Sequence, residues 1–144
     1  DRNIAFMYLQ MGRFETRKGD LEQARTSLNR CIGLAERSST AEPVLKRAYA
    51  ELGAGYFLDR RYHKALQAFE QAINEGYEPG VDGYWKLRFQ MPQAYLEIGD
   101  HDRAEPLLIE ISEQGEGPLQ QRVRIRLGML GLEKQLQRLS GWSK

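Results

Sequence analysis

The side chains best suited to chemistry in this sequence are few and scattered. The two histidines, His63 and His101, would be metal ligands or acid–base groups if another His or Cys stood at ligand spacing, and none does. Both open a predicted helix at nearly equivalent places, where an exposed first-turn or capping residue is expected. Cys31 is the only cysteine, which excludes an intrachain disulfide. It follows Leu28 by three residues, in a slot that Ala72 fills elsewhere, and reads as a small buried hydrophobe, not a nucleophile. Ser38-Ser39-Thr40 reads as a loop and helix start, not a nucleophile elbow. Gly53-x-Gly55 falls inside a helix and cannot cradle a phosphate. Glu110 and Glu113 decorate one helix face, and a general acid–base pair needs a pocket that this pattern does not supply. The expectation is a non-enzymatic chain with no metal site and no cofactor.

Composition narrows the partners. The chain has 144 residues, 41% of them apolar and 28% charged, enough for one domain with a core. Its 21 Lys and Arg against 20 Asp and Glu give a net charge of +1, which points away from a nucleic-acid partner. Arg122, Arg124 and Arg126 form a local basic run, but Arg124 projects away from the other two, and a solvated edge is the expectation. Apolar runs are only a few residues long, far short of the roughly 20 that span a bilayer, so no membrane insertion is expected. No basic, apolar, small-residue opening marks a leader, and a soluble, cytoplasmic chain is favoured.

Punctuation divides the sequence into seven helices. The first, about 2–18, stops at Gly19, a natural left-handed cap. Asp20 opens the second, with Gln23 completing a capping-box pattern. Ser39-x-x-Glu42, with Pro43 in the first turn, opens a third that runs to about 59. A tight turn near Arg60 and Arg61 leads to the fourth, about 62–75. Residues 76–83, with Pro79 and Gly80, form the one substantial loop. The fifth helix covers about 84–98, and Gly99-Asp100 repeats the stop-and-start signal of Gly19-Asp20. The sixth covers about 101–114, Gly115-Glu116-Gly117 breaks it, and Pro118 starts a last helix over 118–139. No stretch alternates like a strand, so the class is all-α.

A recurring phrase orders these helices. Its clearest copy is Tyr49-x-x-Leu52-Gly53-x-x-Tyr56 followed by Ala65-x-x-x-Phe69. Looser copies are Tyr8-x-x-Met11-Gly12 with Ala24-x-x-x-Leu28, and Met91-Pro92-x-x-Tyr95 with Ala104-x-x-x-Leu108. The three alanines lie 41 and 39 residues apart. A fixed period of this size means stacked units, each burying its apolar face against its neighbours. Gly12 and Gly53 on the first helix, and the alanines on the second, let the two helices of a unit approach closely. Tyr49, Leu52 and Tyr56 share one face, as do Leu66, Phe69 and Ile73. Pro92 takes the small-residue slot in the third unit, so kinks are expected there and at Pro106.

These residues resemble the tetratricopeptide repeat, with aromatic–Leu–Gly–Tyr on the first helix and Ala–Phe–Ala on the second. The resemblance covers about residues 4–112. It implies a right-handed α-solenoid of three helix hairpins, about 2–37, 42–75 and 84–114, plus a C-terminal capping or docking helix, in a single domain over 1–144. Departures are Glu15 in place of an aromatic, Arg88 where Tyr8 and Tyr49 stand, and Pro92 in place of glycine. The period also exceeds the usual 34 or so. In this it resembles the longer repeats of bacterial signalling regulators, including maltose-type transcription activators, and of some eukaryotic polarity adaptors.

In that family the first helices line a concave face that holds a peptide. By the resemblance, the partner-binding positions are Gln10, Arg13 and Arg17 in the first unit, and Arg47, Glu51, Ala54 and Phe57 in the second. In the third they are Lys86, Phe89, Gln90 and Gln93. Family members that grip chaperone C-termini use a Lys, Asn and Arg clamp. Here only Lys86 fits, with Leu9, Arg13, Glu51 and Gln90 at the other positions, so a carboxylate clamp is not expected. Arg13, Arg17 and Arg47 with Phe57 and Phe89 suit an acidic or amphipathic segment.

The last helix carries two apolar stripes. Leu119, Val123, Leu127 and Leu130 can cap the third unit. Ile125, Met129, Leu132, Leu136 and Leu139 form a second stripe, free for another copy of the chain, a partner, or further repeats. Leu127-Gly128 follows Pro92 by about one period, so the helix resembles half of a fourth unit. The expected function is an adaptor or scaffold that binds a protein or peptide, with a homo-oligomer through the last helix as one outcome. The alternative is a regulatory sensor whose groove holds a small ligand and couples it to assembly.

Overall fold

Residues 2–38, 42–81, 83–115 and 117–142 are described by a computed structural model. They form seven helices: α1 (Arg2–Lys18), α2 (Leu21–Glu36), α3 (Glu42–Leu58), α4 (Tyr62–Asn74), α5 (Tyr84–Glu97), α6 (His101–Gln114) and α7 (Pro118–Trp142). No strand occurs among the described residues. Each helix packs on the next in chain order, and α1, α3 and α5 also touch in series. That pairing makes three stacked hairpins whose first helices share a side. The last helix runs three residues beyond its expected end, to Trp142. Ser39, the expected opening residue of the capping box with Glu42, lies outside the described residues.

Three of the hairpin turns and the entry to the 76–83 loop use one device. The amide of Gly19 donates to Thr16 and that of Asp20 to Glu15, and the same pair of bonds recurs at Arg60–Arg61, Gly76–Tyr77 and Gly99–Asp100. Each closure puts its first residue in the left-handed region: Gly19 at φ +91°, Gly76 at +99°, Gly99 at +82° and Arg60 at +61°. This is the Schellman geometry, which satisfies the last carbonyls of a helix and favours glycine. Asp20 then caps α2 by accepting from the amide of Gln23, and Asp100 caps α6 by accepting from Arg103. The expected capping box at Asp20 is one-sided, because the Asp20 amide is already spent on the Glu15 carbonyl.

Arg60 is the one non-glycine in this set. A left-handed residue with a Cβ costs about 1–2 kcal/mol. Arg60→Gly is therefore expected to raise stability by about 1 kcal/mol, read as a higher urea midpoint at unchanged slope. An unchanged midpoint would mean that the turn carries no strain.

The core confirms the small-against-large packing. A Cβ built on Gly53 would meet two ring carbons of Phe69 at 2.5 Å, and one on Gly12 would meet Leu28 at 2.6 Å. Phe69, Ala65 and Ala104 are fully buried, and Leu28 nearly so. One apolar cluster joins α1 through α4, a second joins α3 through α6, and a third joins α6 to α7 through Leu108, Ile111, Val123 and Leu130. Pro92 is wholly buried, and α5 and α6 each run as one element across Pro92 and Pro106.

Two departures from the repeat phrase find polar substitutes. Glu15 accepts a hydrogen bond from the Ser27 hydroxyl at 2.7 Å. Arg88 pairs with Glu110 at 2.8 Å, across α5 and α6. Two of the remaining aromatics donate their hydroxyls to carboxylates, Tyr49 to Glu36 at 3.0 Å and Tyr95 to Glu70 at 3.4 Å. Burial first, then the bond to Glu36, pushes the Tyr49 phenol up to about 12.

Cys31 sits in the core as expected, with no exposed surface. Burial pushes its thiol from 9.0 up to about 11. The folded state thus favours the neutral thiol, so its contribution to stability is complete below pH 9 and is lost as pH rises toward 11. Between those values wild type should lose about 1.4 kcal/mol per pH unit more than Cys31→Ala, compared by urea denaturation. Parallel curves for the two proteins would contradict the buried-thiol reading.

Candidate functional site

The chain's first helices alternate apolar packing positions with polar ones on the inner side, and the structure separates the latter into two hollows. The larger, about 550 Å³, is lined by Arg13, Thr16 and Arg17 of α1, by Arg47, Ala50, Glu51, Ala54 and Leu58 of α3, and by Lys86 and Gln90 of α5, with Tyr77 and Gly83 from the preceding loop. Among the described residues four cations face one carboxylate there, and Glu51 is already engaged by Arg13 at 3.3 Å. Arg17, Arg47 and Lys86 are exposed, and none is in an ion pair among the described residues. With Ala50 and Ala54 between the arginines, a ligand backbone can come close to α3. The helix interior enforces this arrangement: Arg13 and Arg17, like Arg47 and Glu51, are four residues apart and so share a face.

The second hollow, about 400 Å³, is mainly apolar. Phe57 and Tyr62 of α3 and α4 meet edge to face at 5.6 Å on one side. Phe89, Gln93, Leu96 and Glu97 of α5 and Leu108 of α6 form its back, and Arg122, Ile125, Arg126 and Met129 of α7 close it. The Arg122 guanidinium lies over the Phe89 ring at 5.2 Å, a cation–π contact. Arg124 lines neither hollow and is exposed.

The concave positions inferred from the sequence thus divide. Arg13, Arg17, Arg47, Glu51, Ala54, Lys86 and Gln90 come together in the basic hollow, and Phe57, Phe89 and Gln93 in the aromatic one. Gln10 is exposed on α1 and lines neither. Beyond those positions the basic hollow also takes Thr16, Ala50, Leu58, Gly83 and the Tyr77 ring, and the aromatic one takes Tyr62, Leu96 and Glu97. Tyr77 lies buried in the 76–83 loop, and the signal for it in the sequence is an aromatic beside Gly and Pro.

On α7 the two stripes behave differently. Val123 and Leu130 are buried against Leu108 and Ile111, with Leu119 and Leu127 partly so. Ile125, Met129, Leu132, Leu136 and Leu139 are all exposed. A further exposed stripe, Ile4, Met7, Met11 and Phe14, runs along α1 at three- and four-residue steps.

His63 and His101 are exposed at the starts of α4 and α6. Among the described residues no three of His, Cys, Asp and Glu are grouped to hold a metal ion. No described helix is long and apolar enough to cross a membrane.

Hairpins of this geometry, closed by Gly against Phe or Leu, define the class of protein. The family model "Tetratricopeptide repeat" matches residues 3–74, half of the chain, and the chain belongs to that family. The match takes in the first two hairpins; the third is the one that carries Arg88 and Pro92. No curated protein and no solved structure matches the chain. Tetratricopeptide repeats generally mediate protein–protein interaction and are typically non-enzymatic.

Proposed function

We propose that this chain is an adaptor or scaffold module whose basic hollow holds an acidic, amphipathic segment of a protein partner. One observation carries the reading: three consecutive first helices direct Arg13, Arg17, Arg47 and Lys86 into one hollow whose only carboxylate among the described residues is already paired. Such a field attracts an anionic segment, speeds its encounter and fixes its register. Leu58 and the Tyr77 ring give the segment an apolar contact at one side of the hollow.

Binding to the native state raises its stability. An acidic peptide at about 100 times its dissociation constant adds about 2.7 kcal/mol, which for a chain of this size is roughly 5–10 °C in Tm. A thermal-shift panel of acidic, neutral and basic peptides alongside anionic metabolites tests this. A rise with acidic peptides alone supports the adaptor. A rise with metabolites and none with peptides replaces it by a small-ligand sensor.

A further inference from the structure

The exposed stripe of α7 has a rhythm that the solenoid does not use. Ile125, Met129, Leu132, Leu136 and Leu139 advance by four, three, four and three residues, the heptad spacing of a two-stranded coiled coil. All five are 47–66% exposed, and every residue from 131 to 140 is exposed, while the opposite stripe is spent on α6.

We propose that α7 pairs antiparallel with α7 of a second copy, making the chain a homodimer along this seam. Two-fold symmetry requires the surface to match itself. In an antiparallel seam the two kinds of core position face each other. Met129 then meets Leu132 of the second copy, and Ile125 meets its Leu136, so a single register closes four layers. The same register sets Arg126 beside Glu133 of the second copy, and Glu133 beside its Arg126. Neither side chain forms an ion pair among the described residues of its own chain. Parallel pairing would instead set Gly128 and Gln135 across from Glu133 and Ser140, with no opposite charges. Charge therefore selects the antiparallel arrangement. The apolar stripe of α1 offers no such match, since its one carboxylate, Glu15, is turned inward onto Ser27. The pairing also brings Leu136 of the second copy beside Ile125, on the rim of the aromatic hollow.

Light scattering on a sizing column, over a range of concentrations, tests the inference. Wild type should approach twice its 16.6 kDa mass, and Leu132→Lys with Leu136→Lys should give a monomer of unchanged helical circular dichroism. Arg126→Glu or Glu133→Arg alone should weaken association about tenfold or more, and the two together should restore it. Because Cys31 is buried, engineered thiols report pairing directly: M129C chains mixed with L132C chains should oxidise to the mixed dimer. Any of three results would overturn the proposal: a monomer at every concentration, a mass that climbs past two copies, or cross-linking of M129C chains only with one another.

Discussion

Phe69→Ala is expected to destabilise the chain by about 3–5 kcal/mol, the range for truncating a fully buried aromatic. Phe69 is wholly buried, and its ring lies against the face of α3 that Gly53 leaves open. Truncation removes the ring from both sides of the hairpin at once, so little neighbouring structure can collapse into the space. The companion change is more diagnostic. Gly53→Ala alone pushes a methyl into the ring, and overpacking of this kind costs about 1–3 kcal/mol, against a gain of about 1 kcal/mol in helix propensity. In the Phe69→Ala background the methyl has room, and the same substitution should become neutral or stabilising. A double-mutant cycle by urea denaturation should therefore show at least about 1 kcal/mol of coupling. A Phe69→Ala loss well under 1 kcal/mol would mean that α3 and α4 do not pack in this register.

The second large effect concerns the basic hollow. Arg47→Glu with Lys86→Glu should weaken binding of an acidic peptide by about a hundredfold, since each reversal replaces an attraction by a repulsion, a change of about 1.4 kcal/mol apiece. Both residues are exposed and outside any ion pair among the described residues. Folding stability should therefore change by less than about 0.5 kcal/mol. Reversing Arg37 and Arg124, which are exposed and line neither hollow, changes net charge equally. That control should alter affinity by no more than about threefold at physiological ionic strength, where the screening length is about 8 Å.

Much of the fold was legible in the sequence because its stops are chemical. Gly19-Asp20 and Gly99-Asp100 combine a left-handed closure with a side-chain cap, and both helix boundaries fell where those pairs put them. The Arg60-Arg61 turn carries a weaker signal, since no cap hydrogen bond comes from Arg61 and the closure is held by backbone bonds alone. The residues of α1, α3 and α5 that line the hollows were legible as positions on first helices. Their division into a basic and an aromatic hollow was not. It depends on where Tyr77 of the loop and the α7 wall come to lie, which is set by packing between units, not by spacing within one. The free stripe of α7 was visible as a second apolar face, and helical periodicity says only that such a face exists.

The most direct test of the adaptor reading is an anisotropy titration of a labelled acidic amphipathic peptide into wild type and into the Arg47→Glu, Lys86→Glu variant, at low and at high ionic strength. The expected result is saturable binding to wild type that weakens with salt, together with an affinity about a hundredfold lower for the variant. Equal affinity of the two proteins for the peptide, or a complex indifferent to salt, would contradict it.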